Sequence, residues 1–140
     1  MIKSILLVDD DQDDISLFHE ALEEVDSLIE FYSAGNGRKA LEFLLDTQAP
    51  APDLIFLDIN MPEMNGWRCL TELKASPRLK QIPVIMFSTS AMKADLQKAS
   101  NLGAIGFYQK PERFEALKGL LKTVIGKPID EGGQKTSFIP

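Results

Sequence analysis

The sequence predicts an α/β protein in which helices cover both faces of a parallel sheet. Short runs of Leu, Phe and β-branched residues alternate with segments whose apolar residues recur every three or four positions. Such alternation is typical of repeated βα units. The strand-like runs are apolar at nearly every position, as are strands that are covered on both faces. We therefore predict five parallel strands and five helices.

The first half of the chain carries three of the predicted strands and three of the helices. Proline cannot continue a helix, so Pro50 and Pro52 mark the end of the second one. The dipeptide Asn65-Gly66 begins the third helix, and Ser76-Pro77 stops it. The predicted elements before that third helix are strand 5–8, a helix from about 13 to 25, strand 29–33, helix 37–46 and strand 54–57.

The second half continues the alternation and then changes in composition. A strand follows Pro83, and a weaker helix from about Lys93 ends at Gly103. A fifth strand over 105–109 precedes a last helix that runs from about Glu112. Residues 126–140 contain Gly-Gly, two prolines and mainly polar side chains, the composition of a flexible tail. We expect one domain over 1–125 and a C-terminal tail over 126–140 that packs either on its own domain or on a neighbouring chain.

Charge and hydropathy exclude several classes of function. The formal net charge is −6, and no Lys/Arg cluster offsets it locally, so direct DNA binding is not expected. No apolar run approaches the ~18 residues of a membrane span, and a signal peptide is not evident. We therefore expect a cytoplasmic protein without membrane insertion. The single cysteine, Cys69, cannot form an internal disulfide and is expected to be buried in a helix.

Polar side chains follow four of the predicted strands. Asp9-Asp10 follows the first strand, Asp58 the third, Ser88 ends the fourth and Lys110 follows the fifth. Because the carboxyl ends of parallel strands meet at one edge, these groups are expected to converge. Two like charges ~4 Å apart repel by about 4 kcal/mol at an effective dielectric near 20, so such a cluster requires positive charge. A divalent cation and a phosphoryl group suit this combination.

The remaining acidic residues near Asp9 have a simpler interpretation. Asp11, Asp13 and Asp14 are expected to cap the first helix and to interact favourably with its dipole. A calcium-binding loop is a second reading of the same segment, because acidic residues fall at several of the required positions. It fails because Asp14 stands where such a loop requires glycine, and because a strand precedes the segment where a helix should.

Four segments together resemble a bacterial response-regulator receiver domain of the CheY-like type. The resemblance extends from about Lys3 to Ile125. It implies a flavodoxin-like, doubly wound five-stranded parallel sheet with the strand order 2-1-3-4-5, which is the order of CheY itself. The segments that carry the resemblance are Leu6-Leu7-Val8-Asp9-Asp10, 57–66 (LDINMPEMNG), Phe87-Ser88-Thr89 and Lys110-Pro111.

The resemblance implies a role for each acidic residue of the cluster. Asp58 would be the phosphoacceptor, receiving a phosphoryl group from a phosphohistidine. Asp10, Asp58 and the backbone carbonyl of Asn60 would ligate Mg²⁺, with Asp9 reaching the ion directly or through water. Lys110 and the metal would neutralise the phosphoryl oxygens, so that the protein supplies mainly position and electrostatics.

The resemblance also implies switch and modulating positions. Ser88 matches the switch hydroxyl, and Phe107 stands where the family carries a switch aromatic, often Tyr. Asn60 and Ser90 match positions that tune phosphoryl lifetime in the family, and neither is a strong acid or base; Thr89 is expected to narrow access to the phosphoryl group further. A phosphoryl lifetime of minutes or longer is therefore expected. The bond before Pro111 is expected to be cis, as is usual in the family.

These inferences give one preferred function and two rivals. The preferred function is a single-domain two-component response regulator that is phosphorylated by a sensor histidine kinase or a phosphotransfer protein. Phosphorylation would switch an interaction face for a downstream protein or a second copy of the chain. An aspartyl-phosphate phosphohydrolase is disfavoured because Asn60 stands where such enzymes place a second Asp. A phosphorylation-independent interaction module is disfavoured by the retained, mutually repelling carboxylates.

Overall fold

The computed structural model describes residues 1–126 and contains the predicted alternation of strands and helices. Asp11, Asn36 and Asn65 are the N-caps of the first three helices, and each side chain accepts a hydrogen bond from a backbone N–H in the first turn. The elements are β1 (Ser4–Val8), α1 (Gln12–Val25), β2 (Glu30–Ala34), α2 (Gly37–Leu45), β3 (Leu54–Leu57), α3 (Gly66–Ala75), β4 (Val84–Ser88), α4 (Lys93–Asn101), β5 (Gly106–Gln109) and α5 (Phe114–Gly126).

The five strands form one parallel sheet in the order β2-β1-β3-β4-β5, which confirms the order implied by the resemblance. Helices α1 and α5 contribute to the core on one face, whereas α2, α3 and α4 contribute to the core on the other. The chain reverses its direction of winding between β1 and β3. The carboxyl ends of these two strands therefore form the crevice where ligands bind in open α/β sheets.

Successive strand residues supply the two cores in turn. Leu6 and Val8 of β1 point to the face covered by α2, α3 and α4, and Ile5 and Leu7 point to the other face. All four of these side chains are fully buried. The sequence runs are continuously apolar because each face of the sheet has its own helical layer.

Some element boundaries differ from the predicted ones. Strand β2 begins one residue later than predicted, since Glu30 is the residue that pairs with Ser4. Helix α5 begins at Phe114, two residues later than predicted, and its first backbone hydrogen bond joins the N–H of Leu117 to the carbonyl of Arg113. The fixed φ of Pro111 and the turn that follows delay the helix.

Two side predictions have clear outcomes. Cys69 is fully buried in α3, as expected, and burial raises the pKa of its thiol to about 12, so that it is not a reactive thiolate. The cis bond expected before Pro111 is wrong, because no described peptide bond, 110–111 included, is cis. The trans isomer is intrinsically the more stable one even before proline. The predicted tail, apart from Gly126, lies outside the described residues.

Gly66, the first residue of α3, fixes the backbone at the end of β3. Its N–H donates a hydrogen bond of 2.8 Å to the carbonyl of Ile59. A Cβ at this position would lie 2.1 Å from the carbonyl oxygen of Asp58 and 2.8 Å from the Cα of Ile59. Only glycine allows α3 to approach the backbone of Asp58 this closely.

We expect the Gly66→Ala substitution to lower the free energy of unfolding by about 1–3 kcal/mol, because the added methyl group overlaps main-chain atoms that cannot move aside. The matched control is Gly119→Ala in α5, where an added Cβ meets nothing within 4 Å. Alanine there should stabilise the protein by about 0.5–1 kcal/mol. Urea denaturation of the three proteins measures both changes. Equal stability of the Gly66→Ala variant and the wild type would contradict the steric argument.

Candidate functional site

The site lies at the carboxyl edge of the sheet, where β1 and β3 run side by side. Val8 is the register partner of Leu57, so Asp9 and Asp58 are the next residues on adjacent strands. The N–H of Asp58 donates a hydrogen bond of 3.0 Å to the carbonyl of Val8. Backbone pairing therefore holds the two aspartates side by side, as the sequence predicted.

Asp9, Asp10 and Asp58 form a cluster able to hold a metal ion. One carboxylate oxygen from each residue lies within 4.8 Å of the others. Asp9 and Asp58 are buried, whereas Asp10 is exposed and keeps the cluster open to solvent. Asn60, also exposed, follows Asp58 by two residues. Oxygen donors of this kind suit hard divalent cations such as Mg²⁺, Mn²⁺ or Ca²⁺.

The side chain of Lys110 enters the same cluster. Its Nζ lies 2.7 Å from Asp9 Oδ2, 2.9 Å from Asp14 Oδ2 and 3.4 Å from Asp58 Oδ2. The backbone N–H of Lys110 donates a hydrogen bond of 2.7 Å to the carbonyl of Ser88. This bond ties the end of β5 to the end of β4 and directs the lysine toward the acidic residues. One ammonium group thus serves three carboxylates.

Burial shifts the ionisation of the cluster. The pKa of Asp58 is raised to about 6, mainly because its carboxylate is desolvated; the positive charge of Lys110 acts in the opposite sense, and the charge of Asp9 adds to the rise. Desolvation likewise raises the pKa of Asp9. Burial alone would lower the pKa of Lys110, but its hydrogen bonds to Asp9 and Asp14 outweigh this and raise it. Lys110 is therefore a permanent cation, whereas ionising Asp58 in the folded protein costs stability.

The predicted switch and modulating residues lie at the end of β4, just after it, and within β5. Ser88 is fully buried, and its Oγ accepts a hydrogen bond of 3.3 Å from the N–H of Ser90. Thr89 is exposed, and its carbonyl accepts a hydrogen bond from the side chain of Gln109. Phe107 is 1% exposed and lies in the core beneath α3 and α4. Their roles in switching stay predictions.

Asp14 belongs to the site, although the sequence interpretation assigned it to helix capping. Asp11 is the residue that caps α1: its carboxylate accepts hydrogen bonds from the N–H groups of Asp13 and Asp14. The carboxylate of Asp14 instead binds Lys110, which lies 96 positions further along the chain. Helix α1 starts four residues after β1 ends, so a side chain in its first turn stays near the sheet edge. That short connection was the sequence signal that could have placed Asp14 at the site.

Comparison with known proteins places the chain among signalling proteins. It is 34% identical to the response regulator Rcp1 of Synechocystis sp. over an alignment of 128 residues, which covers 89% of this chain and 85% of Rcp1. It is 31% identical to the polar-differentiation response regulator DivK of Brucella anthropi, covering 90% of this chain and 98% of DivK. By contrast, the chain spans only 26% of a 35% identical probable cyclic di-GMP phosphodiesterase of Vibrio cholerae.

Solved structures give the same result. The phosphorylated cyanobacterial phytochrome response regulator RcpA has a TM-score of 0.80 and 32% identity, covering 89% of this chain and 91% of its own. The Mn²⁺-bound form of Rcp1 has a TM-score of 0.74 and 31% identity, covering 87% of this chain and 91% of its own.

Within residues 1–126, no helix is long and apolar enough to cross a membrane.

The response regulator receiver domain model matches residues 5–122, which include all the residues of the acidic cluster and Lys110. The fold, the strand order and the grouping of these residues agree with that match. This chain belongs to the response regulator receiver domain family.

Proposed function

We propose that this protein acts as a single-domain response regulator in which Asp58 accepts a phosphoryl group in a Mg²⁺-dependent reaction. The observation that carries the proposal is the convergence of three carboxylates and one ammonium group at the end of β1, β3 and β5. Carboxylates that repel one another in a buried cluster lower the stability of the protein. Their presence together therefore favours a site whose function includes binding a cation.

Asp58 is proposed as the nucleophile of the transfer. One carboxylate oxygen attacks phosphorus; the bond between phosphorus and the ring nitrogen of a phosphohistidine breaks, and its electron pair returns to the imidazole. The product is an acyl phosphate on Asp58. Asp58 Oδ1 already accepts a hydrogen bond of 2.8 Å from the N–H of Ile59, which orients the carboxylate and supports Oδ2 as the attacking oxygen.

The residues around Asp58 supply position and charge. Mg²⁺, held by Asp10, Asp58 and the Asn60 carbonyl with help from Asp9, would neutralise charge on the transferring group. Lys110 would do the same from the β5 side, where its Nζ is 3.4 Å from Asp58 Oδ2.

Phosphorylation is proposed to act through a two-state rearrangement. Ser88 would leave its bond to the N–H of Ser90 and turn toward a phosphoryl oxygen, and Phe107 would repack in the space released. Ser88 ends β4, and Phe107 lies in the neighbouring strand β5, which packs beside α4. The α4-β5-α5 face is therefore the proposed output surface. Because Phe107 carries no hydroxyl, its contribution to a partner contact is apolar.

The proposed partners are proteins. A sensor histidine kinase or a phosphotransfer protein supplies the phosphoryl group in the cytoplasm, and a downstream protein or a second copy of this chain reads the result. The chemistry that the protein performs on itself is limited to gaining and losing this group, so it is a signalling protein without substrate turnover. Its net charge of −6 argues against a direct role on DNA.

Incubation with acetyl phosphate and Mg²⁺ should add one phosphoryl mass to the wild type and none to Asp58→Asn. The reason is that the amide is a far weaker nucleophile than the carboxylate. The matched control is Asp95→Asn in α4, an aspartate outside the cluster, which should still be modified. Intact-mass spectrometry gives the answer. An Asp58→Asn protein that gained the same adduct would exclude Asp58 as the acceptor, and an unmodified wild type would favour a phosphorylation-independent module.

Without metal, Asp58→Asn should be more stable than the wild type by about 1–3 kcal/mol at pH 8. The pKa of Asp58 is about 6 in the folded protein, against an ordinary aspartate value of 3.8, so the folded form binds more protons between these two pH values. The free energy of unfolding of the wild type, relative to that of Asp58→Asn, therefore falls as the pH rises from 4 to 6. The gain in stability from Asp58→Asn should accordingly shrink toward zero at pH 4. Urea denaturation across this range measures it. A gain of equal size at pH 4 would contradict the desolvation argument.

Mg²⁺ should raise the melting temperature of the wild type, by linkage worth about 2.7 kcal/mol when the ion is at 100 times its dissociation constant. Asp10→Asn should reduce this shift, because Asp10 is the exposed carboxylate of the cluster. Asp95→Asn should leave it unchanged. The absence of any shift at millimolar Mg²⁺ would count against the metal site.

The acyl phosphate should persist for minutes or longer after the donor is removed. Asn60 and Ser90 offer no strong base to activate water. Ser90→Glu should shorten the lifetime, since the N–H of residue 90 bonds to Ser88 Oγ at the cluster and a carboxylate there can accept a proton from water. Intact mass followed over time measures the decay. Loss of the adduct from the wild type within seconds would contradict the prediction.

A further inference from the structure

Among residues 1–126, Asp14 is the one carboxylate paired with Lys110 that lies outside the metal-binding group. The ammonium group has three donors. Two of them are directed to Asp9 at 2.7 Å and Asp14 at 2.9 Å, both within the range of strong charge-assisted hydrogen bonds. Asp58, at 3.4 Å, is more distant. In this state Lys110 is held mainly by Asp9 and Asp14.

The two anchors differ in what happens to them during the proposed reaction. Asp9 belongs to the group that would hold the metal, so its charge is then shared with a divalent cation. Asp58 loses its own negative charge when its oxygen becomes part of the acyl phosphate. Asp14, in the first turn of α1, contributes no oxygen to that group and keeps a full charge for Lys110 throughout.

We propose that Asp14 is a positioning residue for phosphoryl transfer: it holds the Lys110 ammonium so that a free donor is directed to the phosphoryl oxygens. This role rests on the proposed function above. Lys110 has a long, flexible side chain, and fixing it costs conformational entropy that a persistent partner offsets before the reaction begins. Asp14 does not touch the reacting atoms and acts only through Lys110.

Asp14 is well placed for such a task. Its side chain is 36% exposed, compared with 10% for Lys110, so it reaches inward from the rim of the site. Its backbone N–H is held by the N-cap Asp11, which fixes the start of α1 relative to the sheet edge. The carboxylate therefore projects from a rigid element, as accurate positioning requires.

Asp13 offers a matched control in the same helical turn. It is exposed, its N–H is also capped by Asp11, and it shows no bond to Lys110 among the described contacts. Asp13→Asn removes the same charge from the same end of α1 as Asp14→Asn does. The two variants therefore share any effect on the helix dipole and on the net charge, and differ only in the anchor of Lys110.

The experiment measures the rate constant of phosphorylation by acetyl phosphate at saturating Mg²⁺ in the full-length chain. In this reaction the Asp58 oxygen–phosphorus bond forms as the donor oxygen–phosphorus bond breaks and acetate leaves. Asp14→Asn should react roughly fivefold more slowly than Asp13→Asn. Asp14→Glu, which keeps the carboxylate on a longer side chain, should recover part of the rate. Asp14→Ser is the alternative neutral variant if Asp14→Asn does not fold.

A second readout separates positioning from a general electrostatic or structural effect. Calorimetric titration with Mg²⁺ should give dissociation constants for Asp14→Asn and Asp13→Asn that agree within about twofold, because neither carboxylate belongs to the metal-binding group. A loss of Mg²⁺ affinity in proportion to the loss of rate would overturn the proposal. Equal rates for Asp14→Asn and Asp13→Asn would overturn it while leaving Asp58 as the acceptor, whereas an unreactive wild type would remove the proposed function and this role with it.

Discussion

The site depends on one electrostatic constraint: buried carboxylates of like charge are held together by the backbone and compensated by a single ammonium group. Asp9 and Asp58 are fixed by strand pairing, so they cannot separate to relieve their repulsion. Lys110 is the described cation that lies among them, and its side chain is only 10% exposed. Desolvation, with a smaller contribution from the charge of Asp9, raises the pKa of Asp58 despite the nearby positive charge of Lys110. A divalent cation bound at this edge would add positive charge beside the three carboxylates, which among the described residues Lys110 alone now compensates.

The fold makes this constraint rigid. Strands β1 and β3 are covered on both faces by close-packed side chains, so the residues after them have little freedom. Gly66 brings the start of α3 into contact with the main chain of Asp58, so the backbone of Asp58 cannot move away from the sheet edge on that side. On the other side, Ser88 accepts the backbone hydrogen bond of Lys110. The short segments that follow the strands thus position the charged groups. The packing and hydrogen bonds that stabilise the sheet edge also set the geometry of the site.

Most of the fold could be predicted from the sequence because its signals are local. Apolar runs, helix caps at Asn36 and Asn65, and the breaks at Pro50 and Pro52 each act within a few residues. The strand order is different, since it is a long-range property and came from the family resemblance. Asp9, Asp58 and Lys110 could be placed together because they follow parallel strands. Asp14 could not, since its carboxylate has a local role available at the helix N-terminus, and only the three-dimensional path of Lys110 shows that Asp11 alone performs it.

The acidic residues between Asp9 and Asp14 have different contacts, and the three N–H donors of Lys110 bind only some of them. Asp11 caps the first turn of α1, Asp9 and Asp10 belong to the cluster that could hold a metal ion, and Asp14 binds Lys110, which also contacts Asp9 and Asp58. In the proposed reaction, Asp58 would become an acyl phosphate, and its contact with Lys110 would pass to a phosphoryl oxygen. Asp9 would then share its charge with the bound metal ion. The bond to Asp14 is the one that neither event removes. An acidic residue in the first turn of α1 therefore lets Lys110 change its reactive partner while keeping its position, which is what a site that alternates between two charge states requires.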